Sequence, residues 1–207
     1  MNVLILGGSR FMGLHVSTQL LERGDSVSVL NRGSAAAVDG VEVLSGDRAE
    51  PDGLASVEGR EFDAVVDLSG YQSAWVVASA DSLAGRIGQY VFISSGSVYQ
   101  PSTMFPWPES NAVGPDPAWG AYAIGKAESE AHLQDRAARG SFSCSILRLP
   151  YAMGAANYAD RESFVFSRLG AGQPILLPGG GNAINQYVHA RDVAAAVLAC
   201  LAKPLSG

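Results

Sequence analysis

The first 23 residues restrict the fold more than any other segment. Val3-Leu4-Ile5-Leu6 is a short apolar run; Gly7-Gly8-Ser9-Arg10-Phe11-Met12-Gly13 follows at once, and a helix-length stretch continues to Arg23. A short apolar run without alternation reads as a strand buried on both faces. Glycines directly after it permit a tight turn and let backbone N–H groups approach an anion, and a helix opening there aims its partial positive charge at the same point. Glycines also serve ordinary turns, but a strand before and a helix after are the context that a pyrophosphate cradle requires. Gly7, Gly8, Ser9, Arg10, Phe11, Met12 and Gly13 are therefore candidate nucleotide contacts. The opening residues lack a basic region and lead straight into the turn, so they read as a strand rather than a secretion signal.

The rest of the chain repeats the alternation. Strand candidates are Asn2–Leu6, Ser26–Leu30, Val41–Leu44, Ala64–Asp67, Tyr90–Ile93 and Cys144–Leu147, and helix candidates are Phe11–Arg23, Pro51–Val57, Gln72–Ala84 and Ala121–Arg139. Such alternation implies right-handed crossovers and an α/β fold with a doubly wound parallel sheet, Rossmann-type. We expect a nucleotide-binding domain over residues 1–150 and, over 151–207, the beginning of a small substrate lobe plus a helix returning to the first domain. In that second part Ile184–His189 reads as a strand and Ala190–Ala202 as a helix. Gln100–Trp119, with its prolines and tryptophans, reads as a long irregular loop. Lys203–Gly207 ends a helix and leads toward another element, so the domain is expected to continue past Gly207.

Around the glycine turn further cofactor candidates can be placed. Arg10 offers a charged fork to a phosphate, or is an exposed arginine on a first helical turn. Asn31-Arg32 closes the second strand, where an acid would favour NAD and an arginine suits the additional phosphate of NADP. Asp47 is placed to reach the adenine or its ribose, or is a turn aspartate in Ser45-Gly46-Asp47. Leu68 and Ser69 after the fourth strand, and Pro150 after the sixth, complete the set. The expected cofactor is NADP or NAD, with NADP favoured.

Tyr122 and Lys126 stand at i and i+4, on one face of a helix, and Ser94-Ser95-Gly96-Ser97 ends the fifth strand on the side where ligands of such sheets lie. Glycine turn, strand-end serines and Tyr-x-x-x-Lys, in that order, resemble the short-chain dehydrogenase/reductase superfamily in its extended NAD-dependent epimerase/dehydratase branch. Val91–Tyr99, Arg148–Gly154 and Tyr187–Ala194 match further segments of that family. The resemblance implies that Tyr122 is the general acid or base, that Lys126 holds the nicotinamide ribose and lowers the tyrosine pKa, and that Ser95 binds the reacting oxygen. It also implies an oxidoreductase or isomerase: an epimerase or reductase acting on a hydroxyl or carbonyl carbon, with a small-molecule substrate such as a nucleotide sugar. Two departures stand out. Arg10 replaces a glycine common in extended members, and Gly96-Ser97 replaces the Asp-Glu pair of sugar-nucleotide dehydratases, which argues against water elimination. Some relatives with a similar turn act in RNA binding or redox sensing, so a non-catalytic NAD(P)-binding regulatory or RNA-binding protein is the alternative. Family members commonly pair through the helices at Gln72–Ala84 and Ala121–Arg139, so a homodimer is expected, with Ala123, Ala127, Ala131 and Leu133 allowing close approach.

Composition limits partners. A net charge of −6 gives no electrostatic reason for nucleic acid or an anionic membrane surface. The longest apolar run, Val193–Ala202, is too short to span a bilayer. Cys144 and Cys200 form no metal spacing and read as core residues; no metal is expected, and a reducing cytoplasm is the expected compartment. Arg161, Arg168 and Gln186 are candidates to touch a diphosphate-linked sugar, or are surface residues.

Overall fold

A computed structural model describes residues 1–33, 36–114 and 117–203. The expected continuation at 204–207 lies outside them. Six parallel strands, β1 (Asn2–Leu6), β2 (Ser26–Asn31), β3 (Glu42–Ser45), β4 (Phe62–Asp67), β5 (Ile87–Ser95) and β6 (Ser143–Leu149), form one sheet in the order β3-β2-β1-β4-β5-β6. Two short strands, β7 (Tyr151–Met153) and β8 (Tyr187–His189), pair separately and in parallel. The helices are α1 (Met12–Arg23), α2 (Ser73–Leu83), α3 (Gly120–Ala138), α4 (Glu162–Gly170) and α5 (Ala190–Ala202).

The apolar run of β1 explains why the sheet is covered twice. Val3 and Ile5 enter a core with Val16 and Leu20 of α1 and Val193, Ala194 and Val197 of α5. Leu4 and Leu6 point the other way, into a core with Val76, Ala80 and Leu83 of α2 and Leu133 of α3. Successive strand side chains face opposite sides, so a strand without polar alternation is stable only between two helical layers. Strand order reverses between β1 and β4, and the crevice outside the carboxyl ends of those strands is where such folds hold ligands.

Several expectations need correction. Pro51–Val57 does not form an α-helix: Glu50 N–H donates to Asp47, Gly53 N–H donates to Glu50, and only a 3₁₀ turn at Ala55–Val57 follows. Asp52-Gly53 favours turns over helix. The predicted strand Ile184–His189 shrinks to Tyr187–His189, and α4, which no periodicity suggested, has no buried residue. On α3, Ala123 and Leu133 are fully buried in the same molecule, so neither lies on the outer face where dimer contacts were expected. That face carries Ile124, Glu128 and Asp135 with the expected Ala131, while Ala127 is half-buried, and His132 and Arg136 on its flank pair with Asp81 of α2. Among the described residues no helix is long and apolar enough to cross a membrane.

Candidate functional site

The glycine turn is as tight as its sequence suggested. A Cβ on Gly13 would lie 2.5 Å from the backbone of Gly8, and one on Gly7, where φ is +90°, would lie 2.5 Å from Ser69 Oγ. Only glycine fits where helix, strand and loop backbones approach this closely. Phe11 adopts φ 47° without being glycine, a conformation that costs on the order of 1–3 kcal/mol and persists where surroundings enforce it. Its buried ring packs edge-on against Tyr158 at 6.4 Å.

A cavity of about 380 Å³ opens on this turn, at the strand-order reversal. Its lining includes Gly7, Ser9, Arg10, Phe11, Met12, Gly13, Asn31, Arg32, Asp47, Leu68 and Ser69, eleven of the thirteen cofactor candidates. Gly8 and Pro150 do not line it. Gly8 instead packs down on Ile5 and Val29, where its Cβ would meet their methyl groups, and Pro150 follows β6, two strands from the reversal. Asn31 is tied into the turn: its Nδ2 donates to Ser9 Oγ at 2.5 Å and its Oδ1 accepts from Gly33 N–H. Arg32 extends outward, 70% exposed, in a loose 3.7 Å pair with Asp47. A close-fitting glycine turn, an adjacent carboxylate and two outward arginines suit the adenosine and pyrophosphate portions of a dinucleotide.

Ser95, Tyr122 and Lys126 lie together beside this cavity, not in its lining. The β5–β6 register sets Ser95 opposite Leu149, at the carboxyl edge of the sheet. Ser95 Oγ accepts from the Ser97 backbone N–H (3.2 Å) and from the Ser97 hydroxyl (3.0 Å), which leaves its own proton free for an outward partner. Tyr122, 40% exposed, lies close by: partial burial raises its pKa, while Ser95 and the charge of Arg161 oppose the rise. Lys126 does not supply the effect expected of it. It is buried, its Nζ donates to the Ile93 carbonyl at 2.6 Å and lies 4.6 Å over Phe92 and 5.9 Å from the Tyr122 ring centroid. Burial pushes its own pKa down to about 8, against the pull of Asp67.

Sequence reasoning missed several residues here. Tyr71, after β4, lies 6.4 Å from the Tyr122 ring and shares a 2.9 Å hydrogen bond with the Tyr158 hydroxyl, so two tyrosines border the boundary between cavity and catalytic candidates. Arg148 forms a forked pair with buried Glu130, which also accepts from Ser94, and so joins α3 to the ends of β5 and β6. Glu130, one turn beyond Lys126 on the same face, extends the i, i+4 pattern and was legible in principle. Arg161 stacks on Tyr151 beside the site, whereas Arg168 is used locally, its Nε on the Pro174 carbonyl; Gln186 is exposed.

Comparison with known proteins agrees with this geometry. The chain is 33% identical over 212 residues to the chloroplast stem-loop binding protein of 41 kDa b of Arabidopsis thaliana, covering 95% of this chain but 54% of that protein. It thus spans about half the length of the curated relative. Among solved structures, a Thermus thermophilus UDP-glucose 4-epimerase in complex with NAD superposes with a TM-score of 0.81 at 23% identity, covering 97% of this chain and 74% of that one. A UDP-N-acetylglucosamine 4-epimerase from Bacillus cereus gives 0.81 at 20% identity, covering 99% and 73%. At such identities the likeness concerns the fold. The family model of the NAD dependent epimerase/dehydratase family matches residues 3–84 and 76–207, nearly the entire chain, and the protein belongs to that family.

Proposed function

We propose that the chain is the cofactor-binding and catalytic part of an NAD(P)-dependent epimerase or reductase acting on a hydroxyl or carbonyl carbon of a nucleotide sugar. The observation that carries this is the grouping of Ser95 with Tyr122, and of Lys126 one helical turn on, beside a glycine-turn cavity. A bound nicotinamide would supply the hydride acceptor and donor. Tyr122 takes the proton of the reacting hydroxyl and returns it. Ser95, its acceptor capacity used by Ser97, donates its hydrogen bond to the same oxygen. Arg161 adds positive potential that favours the phenolate, and Lys126 is the candidate to hold a ribose hydroxyl. Solved relatives include complexes with UDP-glucose, which supports that substrate class.

For the cofactor, Asp47 suits the adenine or its ribose and the glycine turn suits the pyrophosphate. Arg10 and Arg32 favour NADP over NAD, and Asn31 presents no carboxylate against a phosphate. Arg32 is so exposed that its contact belongs with surface ion pairs, about 0.2–1 kcal/mol. The preference is therefore small.

Incubation with NAD or NADP and a panel of nucleotide sugars, followed by product separation, tests the function. Interconversion of sugar epimers, or formation of reduced nicotinamide, supports it. The alternative, RNA binding, draws on the Arabidopsis relative, a stem-loop binding protein, and is opposed by the net charge of −6. Tight stem-loop binding with no turnover of any sugar would replace the enzymatic reading.

A further inference from the structure

A charged cluster lies beneath the cofactor cavity, and no sequence motif announced it. Arg48, only 7% exposed, forks onto the fully buried Asp67, with both Nη–Oδ distances 2.7 Å. Asp67 also accepts from the Tyr90 hydroxyl (2.8 Å) and from Ser69 N–H (3.1 Å). Arg48 Nη2 donates to Ser69 Oγ (3.0 Å), which in turn donates to the Leu6 carbonyl (3.2 Å). Every oxygen of the carboxylate is used, and the Arg48 charge holds the Asp67 pKa below the usual carboxylate range despite its burial.

Such a pair is a poor source of stability. Desolvation of two charges offsets their attraction, and apolar replacements of similar volume are often neutral or better. Its placement suggests another use. Arg48 belongs to the Gly46-Asp47-Arg48 wall, Ser69 to the opposite wall, and Leu6 leads into the glycine turn; all of these line the cavity. Ser69 Oγ is also the atom that a Cβ on Gly7 would strike. The network therefore fixes three chain segments relative to one another at the end where Asp47 sits.

We propose that the Arg48–Asp67 pair is a positioning device that holds the adenosine end of the cavity in its binding shape, so that both residues determine dinucleotide affinity. The proposal rests on the cofactor reading above. It concerns geometry beyond simple charge: the fork of Arg48 reaches Asp67 and Ser69 together, which an ammonium cannot do in the same way.

The test separates affinity from stability. ADP-ribose is titrated by calorimetry into the full chain, its Arg48→Met and Asp67→Leu variants and the double variant, and the urea midpoint of each is measured. Each single variant should lose stability, because it leaves a buried charge unpaired, and the double variant should regain most of that loss. Affinity should not return: the Kd should stay about tenfold above the parent's in all three, as it does when a supporting partner is lost at metal sites. A double variant that binds ADP-ribose like the parent overturns the proposal. If the double variant does not fold, Arg48→Lys decides. A Kd raised several-fold supports positioning by the fork, and a Kd within twofold of the parent's overturns it. A parent chain that binds no ADP-ribose, NAD or NADP overturns the cofactor reading and the proposal with it, and that result is visible before any variant is made.

Discussion

At the residue scale, the proton chemistry rests on Tyr122, with Ser95 beside it. Tyr122→Phe keeps the ring and removes the only ionisable proton, so folding and dinucleotide binding should survive while turnover falls by about 10²–10⁴. Ser95→Ala removes one hydrogen bond and leaves the base, so it should lose less. Steady-state rates on the same substrate check both, and a Tyr122→Phe enzyme at the parent rate would leave the proton-transfer role without support. Lys126 permits a test without substrate. Its proton leaves near pH 8 in the fold, against an ordinary 10.5, so between those values the unfolded chain binds more protons. Stability then rises with pH through this window, because a buried cation is discharged. The urea stability of the parent relative to Lys126→Met should therefore increase from pH 7.5 to 9.5; a constant difference would show that Lys126 titrates normally. Arg32→Ala addresses the cofactor phosphate. An exposed arginine gives NADP an advantage of up to about fivefold in Kd, which this substitution should erase without affecting NAD; Kd ratios measured by calorimetry decide.

At the scale of elements, the turn between β1 and α1 is the most exacting piece. A methyl group on Gly13 has no space that a side-chain shift could open, since the obstacle is the Gly8 backbone itself. Gly13→Ala should displace α1 from the sheet, destabilise the fold by about 1–3 kcal/mol and raise the dinucleotide Kd. Thermal denaturation and a titration together check this, and parent-like values in both would refute the close approach. Helix α3 does a different task. Its buried face, Ala123, Lys126, Glu130 and Leu133, anchors it to β5 and β6, so Tyr122 at its start is held over the strand ends.

At the scale of the whole molecule, the expected homodimer keeps the helices the sequence suggested but loses two of its four contact residues. With Ala123 and Leu133 internal, a pairing through α2 and α3 has Ile124 as its exposed apolar anchor, within a polar rim. Light scattering at micromolar concentration should give twice the chain mass, and Ile124→Glu should return it to one. A monomer in the parent would dismiss the pairing.

The sequence by itself determined the architecture and the order of the chemistry. Unalternated apolar strands demand two helical layers, a glycine turn between strand and helix marks the cradle, and a tyrosine and lysine four apart share a helix face. Each of these depends on residues near one another along the chain, so local periodicity reports it. Tertiary structure decided what depends on distant partners. It sent Lys126 inward to the Ile93 carbonyl and turned Ala123 and Leu133 to the core. It also drew Arg48 from one loop onto Asp67 from another strand, and brought Tyr158 across to Tyr71 and Phe11. No spacing encodes these contacts, because a side chain's partner across a sheet is fixed by strand order and register, and those are settled only when the apolar faces pack.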